Sequence, residues 1–294
     1  MTPPTLQNVE LAVSVLTPAA MDWIDAGEEE RAKHWKPLVH DHTLASWLGK
    51  YRPTHLYIGS EFCEHLLPST NTLQRALQRA KVYDLQPVLL TPIASPQVME
   101  ALPFLLRLLP EDSEVVVNDW GTGRMIARQF PTLRRAAGRI LCRMIKDPRL
   151  PGPEWAPQCG YGFHSQHMQA VFQRLDLQRL EMDVPLFPDS EAFAALPLPK
   201  GVHLPYAYVA KGRMCRIGSM SIPDTQRFAV GRQCRKECMT YTTEVKRPEA
   251  EDRQQTRLVG NTVFSFHTAE MLQVVMAATN SGGIERIIVP GSQL

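Results

Sequence analysis

Four of the six cysteines have positions that could make them ligands of one metal centre. Cys234 and Cys238 are separated by three residues, and Cys215 precedes that pair by 18 intervening residues. Two thiols at this separation lie on one face of a helical turn, so both can reach the same ion. Cys63 is the predicted fourth ligand, because it follows the strand-like segment HLYIGS at 55–60. Four thiolates suit a zinc ion or an iron–sulfur cluster equally well.

Basic residues surround the late cysteines and favour the thiolate form, which is the form that binds metals. They are Arg213, Arg216, Arg232, Arg235 and Lys236. The alternative is that all these cysteines are separate buried thiols. Cys142 lies in an apolar run and is predicted to be a core residue. Cys159 is close to His164 and His167, but that spacing matches no strong zinc template.

Polar and aromatic residues at the end of one predicted strand are candidates for a substrate surface. Asn118 lies near the end of the segment EVVVND at 114–119, and Trp120 follows that segment directly. An indole ring can stack on an aromatic substrate. The alternative is that Asn118 and Asp119 cap the next helix. Arg213 completes the predicted substrate set. His267 follows another strand and is a candidate acid or base, with a cap or surface role as the alternative.

Short apolar runs alternate with helical segments of about ten residues, which is typical of parallel strands joined by helical crossovers. The count indicates an α/β fold, a (β/α)8 TIM-like barrel over a single domain 1–294, with a doubly wound open sheet as the alternative. A cysteine-bearing irregular excursion is expected at 211–252. The C-terminal ends of barrel strands would bring Cys63 and Cys215 to one rim. The predicted strands are 8–16, 55–60, 87–92, 114–119, 138–144, 180–187, 201–210, 262–266 and 285–290.

Composition excludes several broad classes of function. The chain has 32 basic and 30 acidic residues and a net charge of +2, which gives no basis for an extended nucleic-acid or membrane surface. No apolar run approaches the roughly 20 residues that a membrane span requires. The first residues lack the features of a signal peptide, so we expect a cytoplasmic location, where disulfides are rare. Neither His-Glu-x-x-His nor Gly-x-Ser-x-Gly occurs, so zinc-protease and serine-hydrolase signatures are missing.

Several segments together resemble peptidase family U-32. PYAYVAKGRMCRIGSM and the Cys-x-x-x-Cys pair that follows it are similar to the C-terminal signature of that family. HLYIGSEFC, VVVNDWG and RLVGNTVFSF resemble its first cysteine strand, its Asn-Asp motif and the strand after its cysteines. One early and three late cysteines match the UbiV-type branch, which acts in oxygen-independent ubiquinone biosynthesis.

The resemblance implies a barrel that holds a 4Fe–4S cluster on Cys63, Cys215, Cys234 and Cys238. It also implies a heterodimer with a related UbiU-like subunit that hydroxylates quinone precursors, which are small aromatic substrates, without dioxygen. Other branches of the family hydroxylate RNA bases, and some members are described as collagenase-like peptidases. The leading hypothesis is therefore a hydroxylase subunit. The alternatives are an RNA-base hydroxylation factor, a zinc-binding module with an RNA or protein partner, and a peptidase.

Overall fold

Eight parallel strands form a closed barrel. The computed structural model describes residues 9–18, 21–142, 144, 146, 152–154, 163, 165–189, 193, 196–212, 214–227, 234–246 and 254–292. The barrel strands are β1 (Glu10–Val15), β2 (His55–Gly59), β3 (Gln86–Leu90), β4 (Glu114–Val117), β5 (Arg134–Ala137), β6 (Leu177–Met182), β7 (Lys200–His203) and β12 (Arg286–Pro290). They pair in the order β1-β12-β7-β6-β5-β4-β3-β2, which closes on itself. The predicted (β/α)8 barrel is confirmed, and the open sheet is excluded.

Helices connect the strands around the outside. They are α1 (Glu28–Val39), α2 (His42–Gly49), α3 (Thr70–Val82), α4 (Pro96–Leu106), α5 (Trp120–Gln129), α6 (Gln166–Arg174) and α7 (Ala269–Asn280). Most begin after a residue whose side-chain oxygen accepts a hydrogen bond from the first helical turn, which satisfies a backbone N–H that has no partner within the helix. These cap residues are Asp41, Ser69, Ser95, Asp119, Ser165 and Thr268.

Successive side chains of each barrel strand point alternately outward, to the helices, and inward, to the barrel interior. One set of side chains packs against the helices and forms the main hydrophobic core. The other set fills the barrel interior with mostly small or medium apolar residues: Ala12, Tyr57, Val88, Leu90, Val116, Ala136 and Ile288. Charged side chains also occupy the interior, among them Arg286, Glu114 and Glu181, all of which are buried.

A four-stranded antiparallel sheet is inserted between β7 and α7. Its strands are β8 (Tyr206–Lys211), β9 (Thr242–Val245), β10 (Thr256–Val259) and β11 (Thr262–Phe266), in the order β8-β11-β10-β9. It packs on the loop after β2 through the aromatic cluster of Phe62, Tyr206, Tyr208 and Phe264. The described parts of the predicted excursion 211–252 belong to this insertion: Lys211 ends β8, and β9 spans Thr242–Val245.

Three predicted strands are wrong in their bounds or their sheet. The segment 138–144 is not a strand where it is described, because β5 ends at Ala137 and the chain turns at Gly138. The predicted strand 201–210 is divided by the cis Leu204–Pro205 bond into β7 of the barrel and β8 of the small sheet. The segment 262–266 is a strand, but it belongs to the small sheet.

The charged stretch 26–41 contains α1, which buries Trp35, Leu38 and Val39. None of the helices in the described ranges is long and apolar enough to cross a membrane.

Candidate metal centre and cavity at the barrel mouth

The loop after β2 carries the early cysteine to the barrel mouth. Gly59 ends β2 with a φ of +107°, and a β-carbon there would lie 3.0 Å from the carbonyl oxygen of Leu90. Phe62 then inserts between Tyr208 and Phe264, with ring centroids 5.1 and 5.4 Å away. This packing fixes the loop, and Cys63 follows it at the edge of a cavity. The predicted position of Cys63 at the C-terminal rim agrees with the structure.

Backbone N–H groups point at the sulfurs of the late cysteines. The N–H of Gly218 donates to Cys215 Sγ at 3.2 Å, and that of Lys236 donates to Cys234 Sγ at 3.4 Å. Lys236 has a φ of 59°, so the chain reverses between Cys234 and Cys238. Only Cys238 lies in a short 3-10 turn, 237–239, so the predicted single helical turn for this pair is wrong.

A hairpin turn joins the parts of the cysteine set. Gly260 and Asn261 connect β10 to β11, and the Asn261 side-chain amide donates to the carbonyl oxygens of Phe62 and Gly212 at 3.1 and 3.2 Å. Those carbonyls lie one residue before Cys63 and three residues before Cys215. Asn261 therefore ties the early loop to the late segment.

Gly260 lies directly against two of the thiols. Its φ is +61°, and a β-carbon there would lie 3.3 Å from Cys238 Cβ, 3.5 Å from Cys238 Sγ and 3.9 Å from Cys215 Sγ. Only a residue without a side chain fits this turn easily, because L-residues rarely adopt such a φ and the space is already taken. The turn thus forms a close backbone wall beside the sulfurs.

The four thiols lie within electrostatic range of one another. Burial raises the pKa of Cys63, and the negative charges of Cys234 and Cys215 raise it further. Hydrogen bonds from the backbone N–H groups of His65 and Leu66 act in the opposite direction and lower that pKa. A hydrogen bond from Cys238 lowers the pKa of Cys215 to about 6, and the same bond raises that of Cys238. Deprotonating all four would gather negative charge at one point, which a bound cation would offset.

Cys215 and Cys238 are within hydrogen-bond reach of each other, but no three of the four sulfurs lie within 4.8 Å of one another. Among the described residues, the trio whose ligand atoms all lie within 4.8 Å of one another is Glu61, Glu181 and His203, and it contains no cysteine. Four sulfurs on one zinc ion would lie about 3.8 Å apart, since each Zn–S bond is about 2.3 Å in a tetrahedral site. The donor set and the N–H···S bonds fit a metal–thiolate centre, and the spacing fits a larger multinuclear one better.

A cavity of about 340 Å³ extends from Cys63 and Cys238 to the end of the barrel. Cys63, Cys238 and Gly260 lie on one side of it, and Arg139 and His203 lie at the barrel end. Much of the remaining lining is apolar, including Val15, Leu66, Leu90, Phe264 and Ile288. The cavity therefore resembles a small-molecule site, with an apolar wall and a few polar groups.

Buried ion pairs form the floor of this cavity. Arg139 binds Glu61 at 2.5 Å and Asp183 at 3.1 Å, and all three are buried. Lys146 also pairs with Asp183. The two carboxylates hold the pKa of Arg139 above its usual value in spite of burial. The sequence did not single out these residues: Glu61 directly follows the predicted strand 55–60, and Arg139 and Asp183 lie within the predicted strands 138–144 and 180–187.

The two predicted substrate residues that the structure describes, Asn118 and Trp120, lie outside the cavity. Asn118 is 1% exposed, donates to the carbonyl oxygen of Thr91 at 3.0 Å and accepts from the N–H of Ile140 at 3.0 Å. Trp120 is 37% exposed as the first residue of α5. Of the two residues that the alternative assigned as caps of α5, Asp119 is the cap and Asn118 is not. Arg213 lies outside the described residues. A substrate role for the three stays a prediction.

His267 is buried, and the cap of α7 is Thr268, so the cap or surface role given as its alternative is wrong. Neither of its ring nitrogens has a hydrogen-bond partner among the described residues. Burial is the main cause that lowers its pKa, to about 3, so the ring is neutral.

Fold and site together define a class: a (β/α)8-barrel protein with four clustered cysteines at the mouth of the barrel. No protein-family model matches the sequence, and no curated protein matches it. Among solved structures the chain is similar to the U32 peptidase Mk0906, with 12% identity over 97% of this chain and 94% of that one, and a TM-score of 0.47.

Two chitinases are further examples of similar solved structures. The class V chitinase from Nicotiana tobaccum has 11% identity and a TM-score of 0.30, over 98% of this chain and 95% of its own. Chitinase ChiW from Paenibacillus sp. str. FPU-7 has 10% identity and a TM-score of 0.29, over 95% of this chain and 40% of its own. Likeness at these levels concerns the fold alone, and the barrel itself is established by the strand pairing of this chain.

Proposed function

We propose that this protein is an iron–sulfur protein of the U-32 type and a subunit of an oxygen-independent hydroxylase that acts on quinone precursors. In this proposal Cys63, Cys215, Cys234 and Cys238 hold a 4Fe–4S cluster. The observation that carries the proposal is that four thiols, from chain segments about 150 residues apart, lie within electrostatic range of one another, and two of them, Cys63 and Cys238, line one cavity.

The surroundings of the thiols support a cluster in particular. N–H groups of Gly218 and Lys236 donate to sulfur, and such bonds stabilise the negative charge of thiolate ligands and tune the potential of a cluster. Gly260 keeps side chains out of the space beside Cys238 and Cys215. The wide spacing of the sulfurs favours a multinuclear centre over a single zinc ion.

The cavity supports an aromatic substrate. Its apolar lining and volume of about 340 Å³ suit a single ring with a short substituent, and few polar groups remain to orient it. A bound cluster would supply one-electron transfer at the edge of this cavity. The residues of the chain bind and orient the ring, keep water out with Phe62 and Phe264, and keep the ligand close to the thiols.

Exposed apolar side chains support a second subunit. Met220, Met239 and Tyr241 are 59%, 46% and 59% exposed, and all lie on the segments that carry the late cysteines. Large exposed apolar residues beside a functional site are typical of a protein interface. A related UbiU-like chain in a heterodimer is the partner we propose for this face.

The test of the metal centre is anaerobic purification followed by iron and sulfide assays and an absorbance spectrum. We expect a brown protein with absorbance at about 400 nm and iron equal to sulfide. Alanine substitution of each of the four cysteines should remove the colour, whereas Cys142→Ala should keep it, since Cys142 is buried in the core away from the set. A colourless wild-type protein with one zinc per chain would support the zinc alternative and refute the cluster.

The test of the partner and substrate uses the loaded protein. Co-expression with a UbiU-like chain should give a complex whose yield falls when Met239 and Tyr241 are both changed to serine. The complex should hydroxylate a phenolic quinone precursor without dioxygen. If it instead bound transfer or ribosomal RNA tightly and left the phenol unchanged, the RNA alternative would replace the quinone assignment.

A further inference from the structure

A continuous chain of hydrogen bonds runs along the barrel axis to the floor of the cavity. Arg286 Nη1 donates to Tyr57 Oη at 2.7 Å, and Tyr57 Oη lies 2.6 Å from Glu181 Oε1. Glu181 Oε2 in turn lies 2.9 Å from His203 Nε2. All four residues are buried, and His203 also lines the cavity.

The direction of this chain is fixed at its lower end. An arginine can only donate hydrogen bonds, so the Tyr57 hydroxyl accepts from Arg286 and must donate its own proton to Glu181 Oε1. Oε1 is therefore always an acceptor. Any proton that Glu181 carries sits on Oε2, the oxygen that faces His203.

The state of Glu181 then sets the state of the imidazole. When Glu181 is ionised, His203 Nε2 carries the hydrogen and donates it to Oε2, which leaves a lone pair on Nδ1. When Glu181 is protonated, Oε2 donates to Nε2, and Nδ1 carries the hydrogen. Nδ1 makes no hydrogen bond with any described residue, and the ring borders the cavity, so Nδ1 is available to a ligand.

We propose that His203, Glu181 and Tyr57 form a proton relay, in which His203 Nδ1 takes the hydroxyl proton of a phenolic ligand and Glu181 stores it. The balance is simple. The ligand O–H bond breaks and an Nδ1–H bond forms, while the Nε2–H bond breaks and an Oε2–H bond forms. The ligand gains one negative charge, Glu181 loses one, and His203 is neutral before and after.

The Arg139 guanidinium also lines the cavity, and its positive charge would favour the phenolate that this transfer leaves. Burial raises the pKa of Glu181 to about 7, which makes it a proton store near neutrality. Burial, together with Arg139, lowers the pKa of His203 to about 3, so the ring passes a proton on rather than keeping it. The other titratable groups that interact with the pair among the described residues include Glu61, Glu114, Arg139, Cys142, Lys146, Asp183, His267 and Arg286.

A divalent cation between Glu61, Glu181 and His203 is the competing assignment, since their ligand atoms lie within 4.8 Å of one another. Both oxygens of Glu61 already bind Arg139, and both oxygens of Glu181 are bonded to Tyr57 and His203. An ion there would have to compete with the Arg139 backbone N–H at Glu61 Oε1 or with its buried guanidinium at Oε2, so the relay fits the contacts better.

The inference rests on the proposed function only in taking the cavity as the substrate site, and its test does not need the cluster. Infrared difference spectra are recorded when phenol is added at pH 8, with anisole as a ring that has no proton to give. Iron and sulfide are measured in every sample, so that loss of the cluster is scored separately from loss of the relay.

Phenol should produce the carbonyl band of a protonated carboxyl group in the wild type, and anisole should not. Glu181→Gln should abolish the band. His203→Gln keeps an amide oxygen that can accept from phenol, so binding should fall less than about tenfold while the band disappears. His42→Gln, on an exposed histidine, should leave the band unchanged.

Three results would overturn the relay. They are phenol bound to the wild type without the band, a band that persists in His203→Gln, and phenol that does not bind to the wild type at all. An iron-free protein that still gives the band would refute the proposed cluster and keep the relay.

Discussion

Substitution of Gly260 by alanine should separate a role in the thiol site from an ordinary turn. Gly260 has a φ of +61°, and its new methyl group would lie 3.3 Å from Cys238 Cβ and 3.5 Å from its sulfur. Gly282 offers a matched control, because its φ is +81° and nothing lies within 4 Å of its position. Both variants place an alanine in left-handed backbone, and only one of them touches a cysteine.

The expected free energies differ accordingly. A left-handed conformation costs an L-residue roughly 1–2 kcal/mol, so Gly282→Ala should lower the free energy of unfolding by about that amount. Gly260→Ala should lower the free energy of unfolding by about 1–3 kcal/mol more than Gly282→Ala does, which is the usual cost of an extra methyl group in a packed site. The wall of the site would then move against Cys238.

Urea unfolding and the rate of iron loss to a chelator measure the two effects. We expect both variants to unfold earlier than the wild type, and only Gly260→Ala to hold less iron or to lose it faster. Equal stability losses and equal iron retention in the two variants would refute the argument that this turn positions the sulfurs.

Three further predictions concern polar side chains at the mouth and the axis of the barrel. Asn261→Ala should reduce bound iron in the purified protein, since it removes the amide that joins the early and late cysteine segments, whereas Asn71→Ala on exposed α3 should not. Asn118→Ala should lower the free energy of urea unfolding by about 2–4 kcal/mol, because it leaves two buried backbone groups without partners; a loss below about 1 kcal/mol would contradict this. Glu181→Gln should change the pH dependence of stability: burial raises the folded pKa from 4.5 to about 7, so ionisation destabilises the wild type as pH rises through that interval. The free energy of unfolding of Glu181→Gln, relative to that of the wild type, should therefore rise by up to about 3 kcal/mol between pH 4.5 and pH 7 and stay level above pH 7. A difference that does not change with pH would refute the pKa shift.

The alternation of apolar runs and helices was enough to predict the barrel, because each strand is buried on both faces. The same pattern did not reveal β5, because long charged side chains occupy the first positions of that strand. Arg134 and Arg135 begin β5, and Arg135 is buried because its guanidinium donates to the carbonyl oxygens of Leu133 and Leu175. The neighbouring apolar run at 138–144 looked more like a strand, yet Asn118 binds the N–H of Ile140 and turns the chain away.

The candidate site was predictable in its cysteines and not in its surroundings. Thiol spacing is visible in a sequence, whereas the cavity floor depends on which strand ends meet. His203 and Glu181 lie on neighbouring strands β7 and β6, and only their register brings the two side chains together. The Gly260-Asn261 pair between two strand-like runs is a hairpin signal that could have located the turn, but it could not have shown which sulfurs the turn faces.

The buried pair of Arg139 and Glu61 is better explained by position than by stability. Apolar replacement of a buried ion pair is often neutral or stabilising, so such a pair needs another reason to occur at the mouth of a barrel. Glu61 lies two residues before Cys63, and the Arg139 guanidinium also lies over the ring of Phe62, 5.1 Å from its centroid. Arg139 therefore holds the loop that carries the early thiol, while its other contact reaches Asp183 at the end of β6. Through this one side chain, the placement of Cys63 depends on the same buried charges that surround His203.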